Sequence, residues 1–228
     1  MSSPRARAAE ATVAGTHLRD GRTAEEMADL AGEIGADLAV VGSRGLGTVR
    51  RLATGSVSEG VAPLAPCPVL VMRAHAAWPP REAVVGDDSS EESRVAGELA
   101  ARLARPYDVP VLLLRAYHPQ RLLKSVRAAS HDTGAADARL EAGEEQLRER
   151  AAELEGVLGK TPTVKAVAGD AAAALQREAE GRGGGTLVAV GSTGAGAVKR
   201  FALGSVSADV LRAVDGPVLV CPSPEVAR

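Results

Sequence analysis

Short unbroken apolar runs punctuate this chain, and longer stretches with apolar residues three or four positions apart separate them. The runs at 82–86, 110–116, 163–168, 186–190 and 217–221 are bounded by Gly, Pro and Asp. Continuous apolar runs of this length read as strands buried on both faces, the signature of a parallel sheet. Between them, 91–105 places Val95, Leu99 and Leu103 at helical spacing and predicts an amphipathic helix with those side chains inward. Residues 135–158 predict a charged, exposed helix, and 171–180 and 205–214 predict two shorter ones. Residues 118–134 read as a loop or short helix, and 181–185 as a turn. The pattern over 81–223 is five strands alternating with four helices, an α/β domain with helices on both sheet faces.

The first part of the chain carries a shorter version. Residues 11–14 predict a strand. Thr23 with Glu26 reads as a capping box opening a helix over 23–34, whose inner face is Ala24, Met27, Ala28, Ala31 and Ile34. Gly35 closes that helix. A strand over 37–41, a glycine loop, a helix over about 55–64 and a strand over 68–72 complete a β-α-β-α-β order. Residues 74–80 form the linker, where Pro79-Pro80 resists helix and sheet alike. Residues 1–75 thus form a partial domain and 81–223 a complete one.

The two parts are copies. Gly42-Ser43-Arg44-Gly45-Leu46-Gly47 with Gly55-Ser56-Val57-Ser58 reappears as Gly191-Ser192-Thr193-Gly194-Ala195-Gly196 with Gly204-Ser205-Val206-Ser207, at a constant offset. The flanking runs repeat as well, and about half of the positions in 38–72 and 187–221 are identical. The first copy holds only the last three strands of the five-strand plan.

Composition narrows the function. In 228 residues, 45% are hydrophobic and 25% charged, as in ordinary globular proteins. A net charge of −2 gives no electrostatic case for nucleic acid or anionic membranes. Aromatics make up 2%, too few for a base-stacking platform. Cys67 and Cys221 occupy different repeat positions with no metal-ligand spacing, and read as small apolar residues at strand ends. No apolar stretch is long enough for a membrane span. No hydrophobic region follows the N-terminal arginines, so a secretory leader is not expected. The expected location is the cytoplasm.

Two segments carry candidate chemistry. Gly191, Gly194 and Gly196 leave backbone N–H groups open to an anion, and Gly204-Ser205 begins a helix whose free amides and dipole favour phosphate. The hydroxyls of Ser205 and Ser207 can add hydrogen bonds. The other reading of these glycines is tight turns and close packing. The turn Gly86-Asp87-Asp88-Ser89-Ser90 leaves the carboxyl end of a central strand, where open α/β sheets bind ligands. Asp88 there can hold a ribose hydroxyl or a base amino group, or Asp88 or Ser89 can cap the next helix.

The spacing Gly-x2-Gly-x9-Gly-Ser in both copies, with the Val84–Ser90 strand and turn, resembles the ATP-binding signature of the universal stress protein family. The likeness implies an open parallel sheet of order 3-2-1-4-5, of the adenine nucleotide alpha hydrolase type. It implies ATP, with or without Mg2+, held by Gly86 and Asp88 on the nucleoside side and by the backbone near Ala116 at the adenine. Val190, Gly191, Ser192 and Gly194, with Gly204, Ser205, Val206 and Ser207, would take the ribose and phosphates. It also implies pairing through last strands, here within the chain, together with homo-oligomerisation. Asp87 stands where the family usually has an apolar residue. The first copy lacks the opening strand and Asp turn, so one nucleotide site is expected, in the second copy.

Rival readings remain in view. The fold could be a pure interaction module that binds no nucleotide. A nucleotide-using ligase would need substrate-binding insertions, for which the joint between the fourth and fifth strands leaves no room. A dinucleotide fingerprint would follow the first strand, not the fourth. No phosphate-loop lysine follows the glycines and no positioned base is evident, so slow ATP hydrolysis is conceivable but a dedicated activity is not expected. His17, His75, His118 and His131 fit no metal spacing and read as surface residues. Arg200 and its counterpart Arg51 stand beside the glycine loops, where a γ-phosphate contact competes with a solvated face. The stretch 141–155 reads as an exposed helix face with Glu–Arg pairs, or a partner surface.

Overall fold

The computed structural model describes residues 12–42, 56–73, 76–118, 134–181, 185–193 and 203–223. In chain order the elements are α1 (Thr23–Glu33), β1 (Ala39–Gly42), α2 (Ser56–Leu64), β2 (Val69–Met72), β3 (Glu82–Gly86), α3 (Glu91–Ala104), β4 (Val111–Tyr117), α4 (Gly134–Leu158), β5 (Thr163–Ala168), α5 (Ala171–Glu180), β6 (Thr186–Gly191), α6 (Ser205–Ala213) and β7 (Val218–Cys221). A short 3-10 turn, Arg105–Tyr107, follows α3.

The strands form one seven-stranded sheet in the order β1-β2-β7-β6-β3-β4-β5. The five strands of the second copy are parallel to one another, as are β1 and β2. The copies meet where β2 pairs antiparallel with β7, Val69 opposite Val220 and Val71 opposite Val218. Across that joint the Arg73 guanidinium donates to the Leu211 carbonyl, and Arg212 lies 3.4 Å from Glu59.

Two apolar layers flank the sheet. One joins Val84, Leu112, Leu114, Val188 and Val190 to residues of α2, α5 and α6, with Ala24 and Met27 of α1 at its margin. The other joins Val85, Leu113, Leu187 and Ala189 to α3 and α4. On that second face the described residues of the first copy contribute strand side chains but no helix, and Val40 of β1 is exposed.

Several expectations need correction. Residues 12–14 form no strand. In the order 3-2-1-4-5 a third strand pairs only with the second, and the described residues of the first copy include no second strand. The first copy therefore supplies two strands to the sheet. Thr23 is the first helical residue of α1, not its cap. Arg22 holds the cap position without a side-chain bond to the first helical amides, its guanidinium donating to Glu25 at 3.0 Å instead, and its carbonyl accepts from the Glu26 N–H at 3.0 Å. At the other end Gly35, at φ 61°, donates to the Gly32 carbonyl while Ala36 donates to Ala31. This is the paired closure that glycine allows. Ile34 at that end is exposed rather than inward.

Helix α3 faces the sheet with Ala96, Gly97, Ala100, Ala101 and Ala104, while Val95, Leu99 and Leu103 lie at its flanks, partly buried. Small residues let the helix axis approach a Val/Leu sheet closely, and the longer side chains fill the margins. Nor is α4 simply exposed. Leu147, Ala151, Leu154 and Leu158 make a buried stripe, with ion pairs such as Arg148–Glu144 at 3.1 Å on its wet side. Most of 118–134, read as a loop or short helix, lies outside the described residues.

Candidate functional site

A cavity of about 760 Å³ opens over the carboxyl ends of β3, β4, β5 and β6. This is where the strand order turns back, β4 lying on one side of β3 and β6 on the other. Most of the described residues around it come from five places. They are the β3 exit (Gly86, Asp87, Asp88), the end of β4 (Leu114 to His118), the β5–α5 turn with Leu175, the end of β6 (Val190, Gly191, Thr193), and Gly204 to Ser207 at the start of α6. Arg139 of α4 closes one side.

The start of α6 is the anion-facing part. Gly204 is its cap and brings no side-chain hydrogen bond. The first bond inside the helix runs from the Ala208 N–H to the Gly204 carbonyl at 2.9 Å. The N–H groups of Ser205, Val206 and Ser207 thus have no acceptor within the helix, as at any helix start. Ser205 is exposed and borders the cavity. Ser207 is buried and its hydroxyl donates to the Gly191 carbonyl at 2.6 Å and to that of Ser192 at 3.3 Å. In this arrangement the hydroxyl shapes the loop, and Ser207 still borders the cavity.

Ser192 is buried and does not border the cavity. Its N–H donates to Cys221 and its carbonyl accepts from Gly204, both at 2.7 Å. Gly191 is a packing glycine. A Cβ there would stand 2.6 Å from the Cβ of Glu92 and 3.2 Å from its carbonyl carbon. Thr193 donates to the Glu92 carboxylate at 3.2 Å, tying the same turn to α3. Gly194 and Gly196 lie outside the described residues, as do Arg200, Arg51 and the first-copy loop beyond Gly42.

The β3 exit is built by short-range hydrogen bonds. Ser90, not Asp88 or Ser89, caps α3: its hydroxyl accepts from the Ser93 N–H at 3.1 Å. Asp88 is exposed, and its Oδ1 accepts from the Ser90 N–H at 3.0 Å and hydroxyl at 2.5 Å. Ser89 sits at φ 66°. Asp87, expected to add charge near a base, is buried and paired with Arg115. Burial is the largest single influence and opposes the charge on that guanidinium, but the hydrogen bond it donates to Asp87, the Asp87 charge and Tyr117 together outweigh burial and keep the arginine protonated.

The Universal stress protein family matches residues 4–73 and 80–222. The chain belongs to the universal stress protein family. Universal stress protein Rv2005c of Mycobacterium tuberculosis is 31% identical over 191 residues, covering 81% of this chain and 61% of the relative. Universal stress protein YxiE of Bacillus subtilis is 40% identical over 74 residues, 32% of this chain and 50% of the relative. The chain thus spans only part of the length of these relatives. Among solved structures, a universal stress protein from Archaeoglobus fulgidus superposes with a TM-score of 0.59 at 24% identity, covering 85% of this chain and 65% of that one. A putative universal stress protein from Pseudomonas aeruginosa gives 0.64 at 16%, covering 92% and 71%. At such identities these establish the fold.

Of the positions named from the sequence, Gly86, Asp88, Ala116, Val190, Gly191, Gly204, Ser205, Val206 and Ser207 gather around one cavity. Sequence reasoning missed Arg115, Tyr117, Arg139, Asp170 and Leu175. Asp170 accepts from the Ala173 N–H at 2.9 Å, and Arg139 stacks 5.4 Å from the Tyr117 ring centre. The signal for Arg115 was present: it is the one charged residue in a buried run, matched by an aspartate at a normally apolar turn position. Among the described residues no group of three His, Cys, Asp or Glu could hold a metal, and no helix is long and apolar enough to cross a membrane.

Proposed function

We propose that this universal stress protein binds ATP at one site in its second domain and acts as a nucleotide-linked regulator in a stress response. The observation that carries the reading is the start of α6, uncapped by any side chain and bordering the same cavity as the Asp88 carboxylate. Helix amides suit phosphates, and a carboxylate suits ribose hydroxyls or a base amino group. The cavity lining suits such a ligand, since it combines polar groups at Asp88 and Ser205 with apolar Leu114, Leu175 and Val190. Gly86, Asp88 and the Ala116 backbone would hold the nucleoside. Gly191, Gly204, Ser205 and Val206 would surround the phosphates, with Ser192 and Ser207 holding the loop. Bound triphosphate would bring its own Mg2+.

The reading includes no dedicated hydrolysis, a cytoplasmic setting, and association between copies of the chain. One observation favours the rival, an interaction module without nucleotide: Gly191 and Ser207 are already occupied with packing and backbone hydrogen bonds. Native mass spectrometry of the purified chain, with calorimetric titration of ATP, separates the two. Nucleotide near one per chain supports the proposal. A folded chain that neither carries ATP nor takes it up at millimolar concentration refutes it.

A further inference from the structure

We propose that the buried Asp87–Arg115 pair, tied to Gln146 of α4, is a positioning clamp that fixes the Asp88 turn and thereby sets selectivity for the nucleoside end of the ligand. The selectivity part rests on the nucleotide reading above.

One carboxylate oxygen organises the turn. Asp87 Oδ1 accepts from the Arg115 guanidinium and from the Ser89 N–H, the latter at 3.1 Å. The Asp87 N–H is held by the Leu114 carbonyl at 2.9 Å. Arg115 in turn donates to the Gln146 side chain at 2.5 Å. Ser89 is thus pinned from beneath in a left-handed conformation that non-glycine residues rarely adopt. Asp88 is the next link, because its carboxylate binds Ser90, and Ser90 caps α3. The clamp therefore reaches the one exposed carboxylate of the turn, the group that borders the cavity.

Stability does not account for the pair. The side chains of Arg115 and Asp87 are 9% and 4% exposed, and Arg115 Nε is buried without a hydrogen-bond partner. A well-packed apolar pair serves stability as well as a buried ion pair, or better. An unmade hydrogen bond on a buried donor adds a further cost. Nor is the pair needed to seat α4, which already buries Leu147, Ala151, Leu154 and Leu158. What remains is its place: both residues border the cavity directly under the turn.

The test uses the full chain with Asp87→Asn/Arg115→Met, which keeps an acceptor for the Ser89 amide and leaves no buried charge. Arg115→Lys is the conservative partner. Amide exchange at Ser90 is read by NMR without nucleotide, and ATP and inorganic triphosphate are titrated separately. The double variant should melt at or above the wild-type temperature while its Ser90 amide exchanges about tenfold faster. Its ATP affinity should fall about tenfold with triphosphate affinity within about twofold, and Arg115→Lys should keep most of the ATP affinity. Unchanged Ser90 exchange, equal losses for the two ligands, or a double variant melting well below wild type each overturns the clamp. A wild-type chain that takes up no ATP overturns the nucleotide reading instead, and the Ser90 exchange then decides the clamp alone.

Discussion

Replacing Gly191 by alanine should destabilise this protein although it adds a single methyl group. The new Cβ would stand 2.6 Å from Glu92 Cβ, 3.2 Å from the Glu92 carbonyl carbon and 3.2 Å from the Thr193 carbonyl oxygen. Carbon atoms in contact normally keep about 3.5–4.0 Å, so roughly 1 Å must be found. Neither side yields easily. Gly191 pairs with Cys221 of β7, and the next residue is bonded to the same strand. The first turn of α3 is held by the Ser90 cap and by Thr193, and its small-residue face rests on the sheet. Overpacking of this kind costs about 1–3 kcal/mol. At about 2–4 °C per kcal/mol for a chain of this size, the melting temperature should fall by roughly 3–10 °C. Circular dichroism melts measure it, with Gly156→Ala as the control. Gly156 is exposed within α4 and an added Cβ meets nothing within 4 Å. That change should stabilise by about 0.5–1 kcal/mol through helix propensity alone. A Gly191→Ala protein melting within about 1 °C of wild type would refute the close contact and return this glycine to a role in ligand approach.

If Asp88 holds the nucleoside end as proposed, Asp88→Ala should weaken ATP much more than inorganic triphosphate; calorimetry giving equal losses would point to a general effect. Burial pushes the Cys221 thiol up to about 12, so it should resist thiol reagents at pH 8 until the protein unfolds, and prompt labelling of the native chain would contradict this. The same shift means stability falls as pH climbs from about 8.5 toward 12, because the unfolded thiol loses its proton first. Residues 1–75 expressed alone should be largely unfolded, since their described residues supply two paired strands and leave Val40 exposed; dispersed amide signals from a monomeric fragment would show otherwise.

Periodicity and punctuation determined a good deal by themselves. Unbroken apolar runs such as Leu112–Leu114 and Leu187–Val190, short and flanked by turn residues, read as strands covered on both faces, and the glycine repeat marked the related loops. The carboxyl ends of those strands were therefore legible as the place for a site. Local pattern failed where a partner decides the outcome. Residues 12–14 have strand-like composition, but a strand exists only beside another, and no second strand of that copy lies among the described residues. Helix α3 turned its small residues inward because the sheet beneath already supplies bulk. The burial of Asp87 was beyond sequence reading, because a carboxylate enters an interior only when a counter-charge meets it there. Arg115 lies 28 residues away and reaches it only because β3 and β4 pair in register. Tertiary structure likewise set the Ser207 hydroxyl against the backbone: it donates to the Gly191 carbonyl, 16 residues back in the chain, a contact that local pattern does not reveal.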